Sequence, residues 1–217
     1  MTINRGSLQK MKHLYIIRHG ETDFNKAHKM QGRGINASIN ELGCAQAECI
    51  ADALKDAPIT KIITSSLIRT LETAQPLIKQ TKATVESYKD LDEMSFGVLE
   101  GVEFEQVRED VKLLHNSWVQ GDLDVAAEKG ESPNEVFRRA NAQVLKVLDN
   151  SEDEHIVFML HGRLIRILLS VWLGYGLSKM DRISHNNGAI NHLLWNGEEF
   201  KAIELNKTNH LPLLVNE

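Results

Sequence analysis

The fold is decided by the stretch Leu14-Tyr15-Ile16-Ile17-Arg18-His19-Gly20-Glu21-Thr22, in which a short apolar run ends abruptly in charged and small residues. Two later runs end in the same way, since residues 62–64 lead into Ser65-Ser66-Leu67-Ile68-Arg69 and residues 156–160 lead into His161-Gly162-Arg163. Short apolar runs bounded by turn residues are typical of buried strands. If the three runs are neighbouring parallel strands, their carboxyl ends bring imidazoles and guanidiniums to one crevice, where open α/β sheets bind ligands. Such a crevice is suited to a phosphate group.

Strands and helices alternate along most of the chain. Apolar residues at helical spacing predict helices at residues 41–57, 67–80, 134–148 and 164–173, with strands at 59–64, 156–160 and around Val85. Pro76 predicts a kink in the second helix or its early end. The runs 189–195 and 200–205 flank Asn196-Gly197, a pair typical of two-residue hairpins. We predict an α/β three-layer sandwich with a mostly parallel central sheet, helices on both faces and an antiparallel edge near the C-terminus.

The 217 residues suit one domain with an inserted segment. Residues 1–10 lack periodicity and predict a flexible leader, so the domain is expected at 11–217, with a small helical lid at about 94–133. Residues 100–131 carry nine acidic and three basic side chains, a formal charge of −6. Such a surface would repel a large polyanion and admit a compact phosphomonoester, but it also fits a solvated acidic helix face.

Composition excludes several classes of protein. A formal net charge of −5 argues against nucleic-acid binding, which depends on clustered Lys and Arg. Cys44 and Cys49 alone form neither a disulfide framework nor a zinc site, which favours a reducing, cytoplasmic location. The longest apolar stretch, residues 164–173, is interrupted by Arg166 and is too short to span a bilayer. We therefore expect neither a nucleic-acid nor a membrane partner.

The residues at the three strand ends are the types that phosphoryl transfer requires. Arg18 and Arg69 are candidate phosphate clamps, because a planar guanidinium can hold two phosphate oxygens at once. His19 is the candidate nucleophile, since the arginines that hold phosphate also disfavour its protonated form. The leaving alkoxide needs a proton, for which Glu93 is the candidate donor and Asp92 its rival.

Each of these residues also has a purely structural interpretation. His19 could be a loop histidine, Glu93 a surface acid, and Arg69 a helix residue paired with Glu72 one turn away. Taken singly, Glu93 and Arg69 fit the structural interpretation better. Chance rarely produces such clusters at the ends of three strands, so their combination favours a functional site.

The motif Arg18-His19-Gly20-Glu21-Thr22, with Asn25 after it, resembles the signature of the histidine phosphatase superfamily, which has the phosphoglycerate mutase-like fold. The resemblance extends over nearly the whole chain from Met11, and its further motifs are Gln31-Gly32, Glu41-Leu42-Gly43, Ser65-Ser66-Leu67-Ile68-Arg69-Thr70, Leu91-Asp92-Glu93, Phe96-Gly97-Val98-Leu99-Glu100-Gly101 and His161-Gly162. It implies that His19 becomes phosphorylated, that Arg18, Arg69 and His161 surround the phosphoryl group, and that Glu93 donates the proton. It implies no metal and no other cofactor.

Substrate binding is assigned partly from this resemblance and partly from the glycines. Gly20 and Gly162 let the backbone approach an anion closely, and Gly162 begins a helix whose free N–H groups favour an anion. The residues assigned to it are Gly20, Glu21, Thr22, Asn25, Gln31, Gly32, Gly162 and Asn187. The chain departs from the family pattern in the loop 33–39, which looks one residue longer. Arg163 also departs from it, and either adds a cation near the substrate or covers the start of a helix.

The leading hypothesis is a metal-independent phosphatase that hydrolyses a small phosphorylated metabolite through a phosphohistidine, as a monomer or homodimer. A cofactor-dependent phosphoglycerate mutase-type phosphotransferase is the alternative enzyme. The resemblance favours the phosphatase, because mutases of this superfamily share a longer segment after the catalytic acid, whereas residues 94–101 are short and resemble that of a phosphatase. A catalytically weak module that binds a phosphorylated ligand is the alternative outside enzymes.

Overall fold

The computed structural model describes residues 10–211, so the predicted leader lies outside the described residues except for Lys10. One six-stranded sheet forms its centre, with strands β1 (Lys12–Arg18), β2 (Lys61–Ser65), β3 (Thr84–Tyr88), β4 (His155–Leu160), β5 (Ile190–Trp195) and β6 (Phe200–Lys207). The α-helices are α1 (Asp23–Lys26), α2 (Glu41–Ala53), α3 (Ile68–Gln80), α4 (Arg108–Val119), α5 (Pro133–Asp149) and α6 (Gly162–Trp172). Short 3-10 helices cover Lys89–Leu91, Gly97–Leu99, Phe104–Gln106 and Leu177–Arg182.

The strand order is β3-β2-β4-β1-β5-β6, and β3, β2, β4 and β1 are all parallel to one another. Strand β5 runs antiparallel to both β1 and β6. This confirms the mostly parallel sheet with an antiparallel hairpin at one edge. Because β2, β4 and β1 are adjacent, the three segments that follow them begin at the same end of the sheet.

Alternating side chains of the strands separate two buried cores, one on each face of the sheet. Leu14 and Ile16 of β1 belong to the core that includes α5 and α6. Tyr15 and Ile17 belong to the core that includes α2 and α3. Burial of side chains of this size contributes roughly 1.5–3 kcal/mol each. The predicted three-layer sandwich follows from this two-sided apolar pattern.

Several boundaries differ from the sequence predictions for local reasons. Helix α3 continues through Pro76 to Gln80, because Ala74 and Leu77 on either side of the proline are fully buried against α2 and the sheet. The predicted two-residue hairpin turn is wrong, since four residues separate β5 from β6. The Asn196 side-chain oxygen accepts the N–H groups of Glu198 and Glu199, both at 2.9 Å, which stabilises the longer loop.

The start of α5 follows the predicted entry at Ser132-Pro133. The Ser132 hydroxyl accepts the N–H of Glu135, and the Glu135 carboxylate accepts the N–H of Ser132 in return. This reciprocal cap satisfies two backbone donors of the first turn. No helix within residues 10–211 combines the length and the apolar character needed to cross a membrane.

Gly43 of α2 lies against the loop that follows β1, where a methyl group would meet the backbone of Glu21 and the Ile39 Cβ at 2.8 Å. We expect Gly43→Ala to lower the free energy of unfolding by about 1–3 kcal/mol, although alanine favours helices, because neither backbone can retreat. Urea denaturation measures the change, with Cys44→Ala at the exposed neighbouring position as the control. A Gly43→Ala protein as stable as the unaltered one would contradict the close approach.

Candidate active site

The three predicted clusters meet at the carboxyl end of the parallel strands. His19 follows β1, Ser65 ends β2 and leads to Arg69 in α3, and His161 follows β4. The His19 and His161 rings lie 5.3 Å apart between centroids, and both residues are buried. The side chains of the three clusters therefore lie together at one end of the sheet.

His19 is held as a neutral imidazole with one nitrogen left for reaction. Its Nδ1 lies 2.7 Å from the carbonyl oxygen of Gly20. Because a carbonyl only accepts, Nδ1 carries the proton and Nε2 has a free lone pair. Burial, together with the positive charges of Arg69 and Arg18, holds the pKa of His19 well below its usual range. This is the direction predicted from the arginines, with burial as the larger cause.

Arg69 is fully buried and is oriented by three contacts. Its Nε donates to Nδ1 of His161 at 3.2 Å, and its terminal nitrogens donate to the carbonyl oxygens of Ile35 at 2.7 Å and Gly32 at 3.3 Å. Nε2 of His161 therefore carries the proton and donates to the Ser65 hydroxyl at 2.7 Å. The Glu72 carboxylate accepts the N–H of Ile39. The structural interpretation of Arg69 as a surface partner of Glu72 is thus wrong.

Arg18 donates from one terminal nitrogen to Nδ1 and to the carbonyl oxygen of His185, both at 3.0 Å. Its Nε is buried without a hydrogen-bond partner. Burial lowers the pKa of Arg18 to about 10, and burial likewise lowers the pKa of Arg69 to about 10, so both remain charged at neutral pH. A charged donor with no partner is suited to an incoming anion.

Glu93 is buried at the N-terminus of α6. Its two carboxylate oxygens accept the N–H groups of Met94 at 2.8 Å, Leu164 at 3.0 Å and Arg163 at 3.0 Å. The first turn of α6, which was expected to hold the substrate anion, thus binds the Glu93 carboxylate instead. The rival Asp92 accepts the N–H and the hydroxyl of Ser66, each at 2.8 Å, and so anchors the end of β2.

The polar residues assigned to substrate binding form a connected network beside His19. The Thr22 hydroxyl donates to the Gln31 side-chain oxygen at 2.8 Å and accepts the N–H of Asn25. The Asn187 amide donates to the carbonyl oxygen of His19 at 3.0 Å and to the Asn25 side chain at 3.1 Å. The Gln31 amide nitrogen is buried without a partner, so it is a second donor, besides Nε of Arg18, that is available to an anion.

The other residues assigned to substrate binding lie outside this hydrogen-bond network. Gly20 packs against Gly43, and Gly162 packs against Arg18 and His185. Gly32 contributes a carbonyl oxygen that accepts from Arg69. The carboxylate of Glu21 accepts from the Asn40 side chain at the start of α2, so the structure does not bring it into the network.

Arg163 lies in the first turn of α6, and its side chain is bound within the protein. It donates to Asp181 at 3.0 Å, and its guanidinium carbon lies 5.5 Å from the centroid of the Trp118 ring. Arg166 also binds Asp181. Asp181 therefore holds both arginines of α6.

A cavity of about 540 Å³ opens beside Arg18. Its lining residues are Arg18, Asn25, His28, Lys29, Met30, Phe104, Glu105 and Asn187. Phe104 and Glu105 belong to the segment predicted as a lid. The cavity is large enough for the organic part of a small phosphorylated molecule.

Some residues that shape the site were not predicted. Thr73 of α3 accepts the N–H of Gly20 at 2.9 Å and donates to the carbonyl oxygen of Arg69 at 2.6 Å, so it joins the two clusters. His185 orients Arg18. Glu131 and Arg139 bind the segment that carries Glu93. The helical spacing of α5 gave no sign of Arg139, because a charged residue beside an apolar face is usually solvated.

The neutral histidines give stability a dependence on pH. Burial and the charges of Arg18, Arg166 and Arg163 lower the pKa of His185 to about 2. The stabilisation is complete above the unfolded-state pKa of about 6.5 and is lost as the pH falls below it, by about 1.4 kcal/mol per pH unit for one histidine. We expect His185→Gln to reduce the slope of unfolding free energy against pH by this amount between pH 6 and 4, measured by urea denaturation.

The control for this measurement is His28→Asn, which removes a surface imidazole at a position with φ of 50°, where asparagine is tolerated. We expect this variant to retain the slope. An unchanged slope in His185→Gln would contradict the buried neutral imidazole.

Comparison with known proteins agrees with this geometry. A family model described as the histidine phosphatase superfamily (branch 1) matches residues 14–208. A curated relative from Proteus mirabilis (strain HI4320), named probable phosphoglycerate mutase GpmB, is 31% identical over 183 residues, which cover 84% of this chain and 85% of the relative.

Solved structures show the same fold. A mycobacterial glucosyl-3-phosphoglycerate phosphatase in complex with VO3 superposes with a TM-score of 0.79 at 25% identity, covering 90% of this chain and 98% of that one. Bacillus stearothermophilus YhfR superposes with a TM-score of 0.84 at 23% identity, covering 93% and 100% of the two chains. The match of the family model over most of the described residues, together with the strand-end constellation, shows that this chain belongs to the histidine phosphatase superfamily, branch 1.

Proposed function

We propose that the protein is a metal-independent phosphatase that hydrolyses a small phosphomonoester through a phosphohistidine. The observation that carries the proposal is His19, whose Nδ1 is committed to the Gly20 carbonyl while Nε2 is free beside two charged arginines. Phosphoryl transfer needs an aligned nucleophile and positive charge around the equatorial oxygens, and this arrangement supplies both.

In the first step, Nε2 of His19 attacks phosphorus and the bond from phosphorus to the leaving oxygen breaks. Arg18, Arg69 and the unpaired Gln31 amide hold the phosphoryl oxygens, and Glu93, which enters this step in its protonated form, gives its proton to the leaving alkoxide and becomes a carboxylate. In the second step, water attacks phosphorus, the bond from phosphorus to Nε2 of His19 breaks, and the Glu93 carboxylate takes a proton from that water. Inorganic phosphate then leaves, and His19 is again neutral.

We propose the segment 94–133 as the lid that selects the leaving group. Support comes from Phe104 and Glu105, which line the same cavity as Arg18. The substrate in this proposal is a small phosphorylated metabolite whose organic part occupies that cavity.

A mutase activity is the second candidate, favoured by the name of the Proteus mirabilis relative. A mutase keeps the phosphoryl group on the histidine until a second hydroxyl accepts it, whereas a phosphatase admits water. The short segment after Glu93, with only the 3-10 helix Gly97–Leu99 before residue 101, favours hydrolysis.

The test is turnover of the unaltered protein with 4-nitrophenyl phosphate, a panel of phosphorylated metabolites, and 3-phosphoglycerate with and without its bisphosphorylated primer. We expect release of inorganic phosphate without added metal. Conversion of 3-phosphoglycerate to 2-phosphoglycerate that depends on the primer would favour the mutase. Tight binding of phosphorylated compounds with no turnover at any pH would favour a binding module.

A further inference from the structure

Arg139 lies in α5, and all five N–H groups of its guanidinium are used within the protein. One terminal nitrogen donates to the carbonyl oxygens of Asp90 at 2.8 Å and Asp92 at 2.9 Å. The other donates to the carbonyl oxygen of Glu93 at 3.1 Å and to one carboxylate oxygen of Glu131 at 2.8 Å. Nε donates to the second carboxylate oxygen of Glu131 at 2.7 Å. No donor of Arg139 remains for a substrate.

These contacts hold the backbone on both sides of the Glu93 side chain. Arg139 binds the carbonyls before it and its own carbonyl, and Glu131 accepts the N–H of Ser95 at 2.8 Å on the far side. The side chains of Arg139 and Glu131 are only 13% and 17% exposed. Although burial opposes it, hydrogen bonding and the charge of Arg139 keep the pKa of Glu131 below its usual range, so the pair stays ionised.

We propose that Arg139, held by Glu131, is a positioning residue. It fixes the backbone of Glu93 so that the Glu93 carboxyl lies at the leaving oxygen of the substrate. This inference rests on the proposed function, because it assigns Glu93 the proton transfer. Arg139 acts through the backbone of residues 90–93 and touches neither the phosphoryl group nor His19. Lysine cannot replace it, since three donors on one nitrogen cannot span five acceptors.

The proposal has a signature that loss of stability alone does not produce. An alkyl phosphate releases a strongly basic alkoxide and depends on proton donation, whereas 4-nitrophenyl phosphate releases a weakly basic phenolate and depends on it much less. A misplaced Glu93 therefore slows the alkyl substrate selectively. Because kcat/KM covers the steps up to formation of the phosphohistidine, it reports proton donation to the leaving group directly.

The experiment measures kcat/KM for glycerol 2-phosphate and 4-nitrophenyl phosphate in the full chain and in Arg139→Lys, Glu131→Gln and Glu93→Gln. We expect Arg139→Lys to lower the value for glycerol 2-phosphate by about 10²-fold, since a displacement of about 1 Å has this effect. The loss for 4-nitrophenyl phosphate should be at least about tenfold smaller, because weak leaving-group basicity removes most of the demand for an acid. Glu131→Gln, which keeps the shape of the side chain but removes its charge, should show the same selectivity to a lesser extent.

Arg138→Lys is the matched control, because Arg138 is the exposed neighbour in the same helix turn. It should leave both values unchanged. In the double variant of Arg139→Lys and Glu93→Gln, the alkyl substrate should lose no more than in Glu93→Gln alone, because both changes remove one proton transfer. Urea denaturation of each variant identifies losses caused by unfolding.

The outcomes separate this inference from the function on which it rests. If the unaltered protein hydrolyses neither compound, the proposed phosphatase fails. If Glu93→Gln is selective for the alkyl substrate while folded Arg139→Lys and Glu131→Gln lower both values equally, the positioning role is wrong and the phosphatase stands.

Discussion

His19→Ala is expected to lower kcat/KM for phosphate-ester hydrolysis by roughly 10⁴-fold or more, because removal of a covalent nucleophile removes the step that the other groups assist. The side chain is 3% exposed and its Nδ1 binds only the neighbouring Gly20 carbonyl, so the fold should survive the change. Release of inorganic phosphate measures the loss. A mass increase of one phosphoryl group on His19, after quenching at alkaline pH where phosphohistidine persists, should be present in the unaltered protein and absent from the variant.

The matched control is His155→Gln, since His155 lies at the opposite end of the parallel strands, where β4 begins. This variant should retain turnover and the phosphorylated peptide. Turnover in His19→Ala within about tenfold of the unaltered protein would exclude covalent catalysis by His19, because no neighbouring group could compensate that fully.

The position of the site was predictable because it depends on strands alone. Apolar runs identified β1, β2 and β4, and the charged residues directly after them could only lie at one end of a parallel sheet. The orientation of Arg69 toward His161 depends in addition on the carbonyls of Ile35 and Gly32, which the strands do not determine. A local signal was sufficient wherever the functional residue directly followed a buried strand.

Contacts between segments that lie far apart in the sequence could not be predicted from local patterns. Glu93 binds Leu164, 71 residues further along the chain, and Arg139 binds the Glu93 carbonyl, 46 residues away. Neither pairing has a period or a motif that marks it in one sequence. Glu21 was assigned to the substrate because it belongs to the motif, but the packing of α2 places its carboxylate on Asn40. Tertiary packing decides which members of a motif face the cavity.

Glu93→Gln is expected to lower kcat/KM for an alkyl phosphate by about 10²–10⁴-fold, the usual contribution of a positioned general acid. Glutamine cannot donate a proton to the leaving alkoxide. It also replaces one of the two carboxylate oxygens with an amide group that donates. Either the N–H of Arg163, or the N–H groups of Met94 and Leu164, then face a donor in place of an acceptor. An unsatisfied buried donor should reduce the free energy of unfolding by about 1–3 kcal/mol.

Asp92→Asn separates the two effects, because Asp92 is the neighbouring acid and binds Ser66 through equally short hydrogen bonds. It should also lower stability, because the neutral amide loses the ion pair with Arg33 at 3.5 Å, but it should reduce kcat/KM for alkyl and aryl phosphates by the same factor. Glu93→Gln should instead spare the aryl substrate, whose leaving group needs little protonation. If Asp92→Asn showed the selective loss and Glu93→Gln did not, the proton would come from Asp92, and the carboxylate at the start of α6 would serve only to hold that helix.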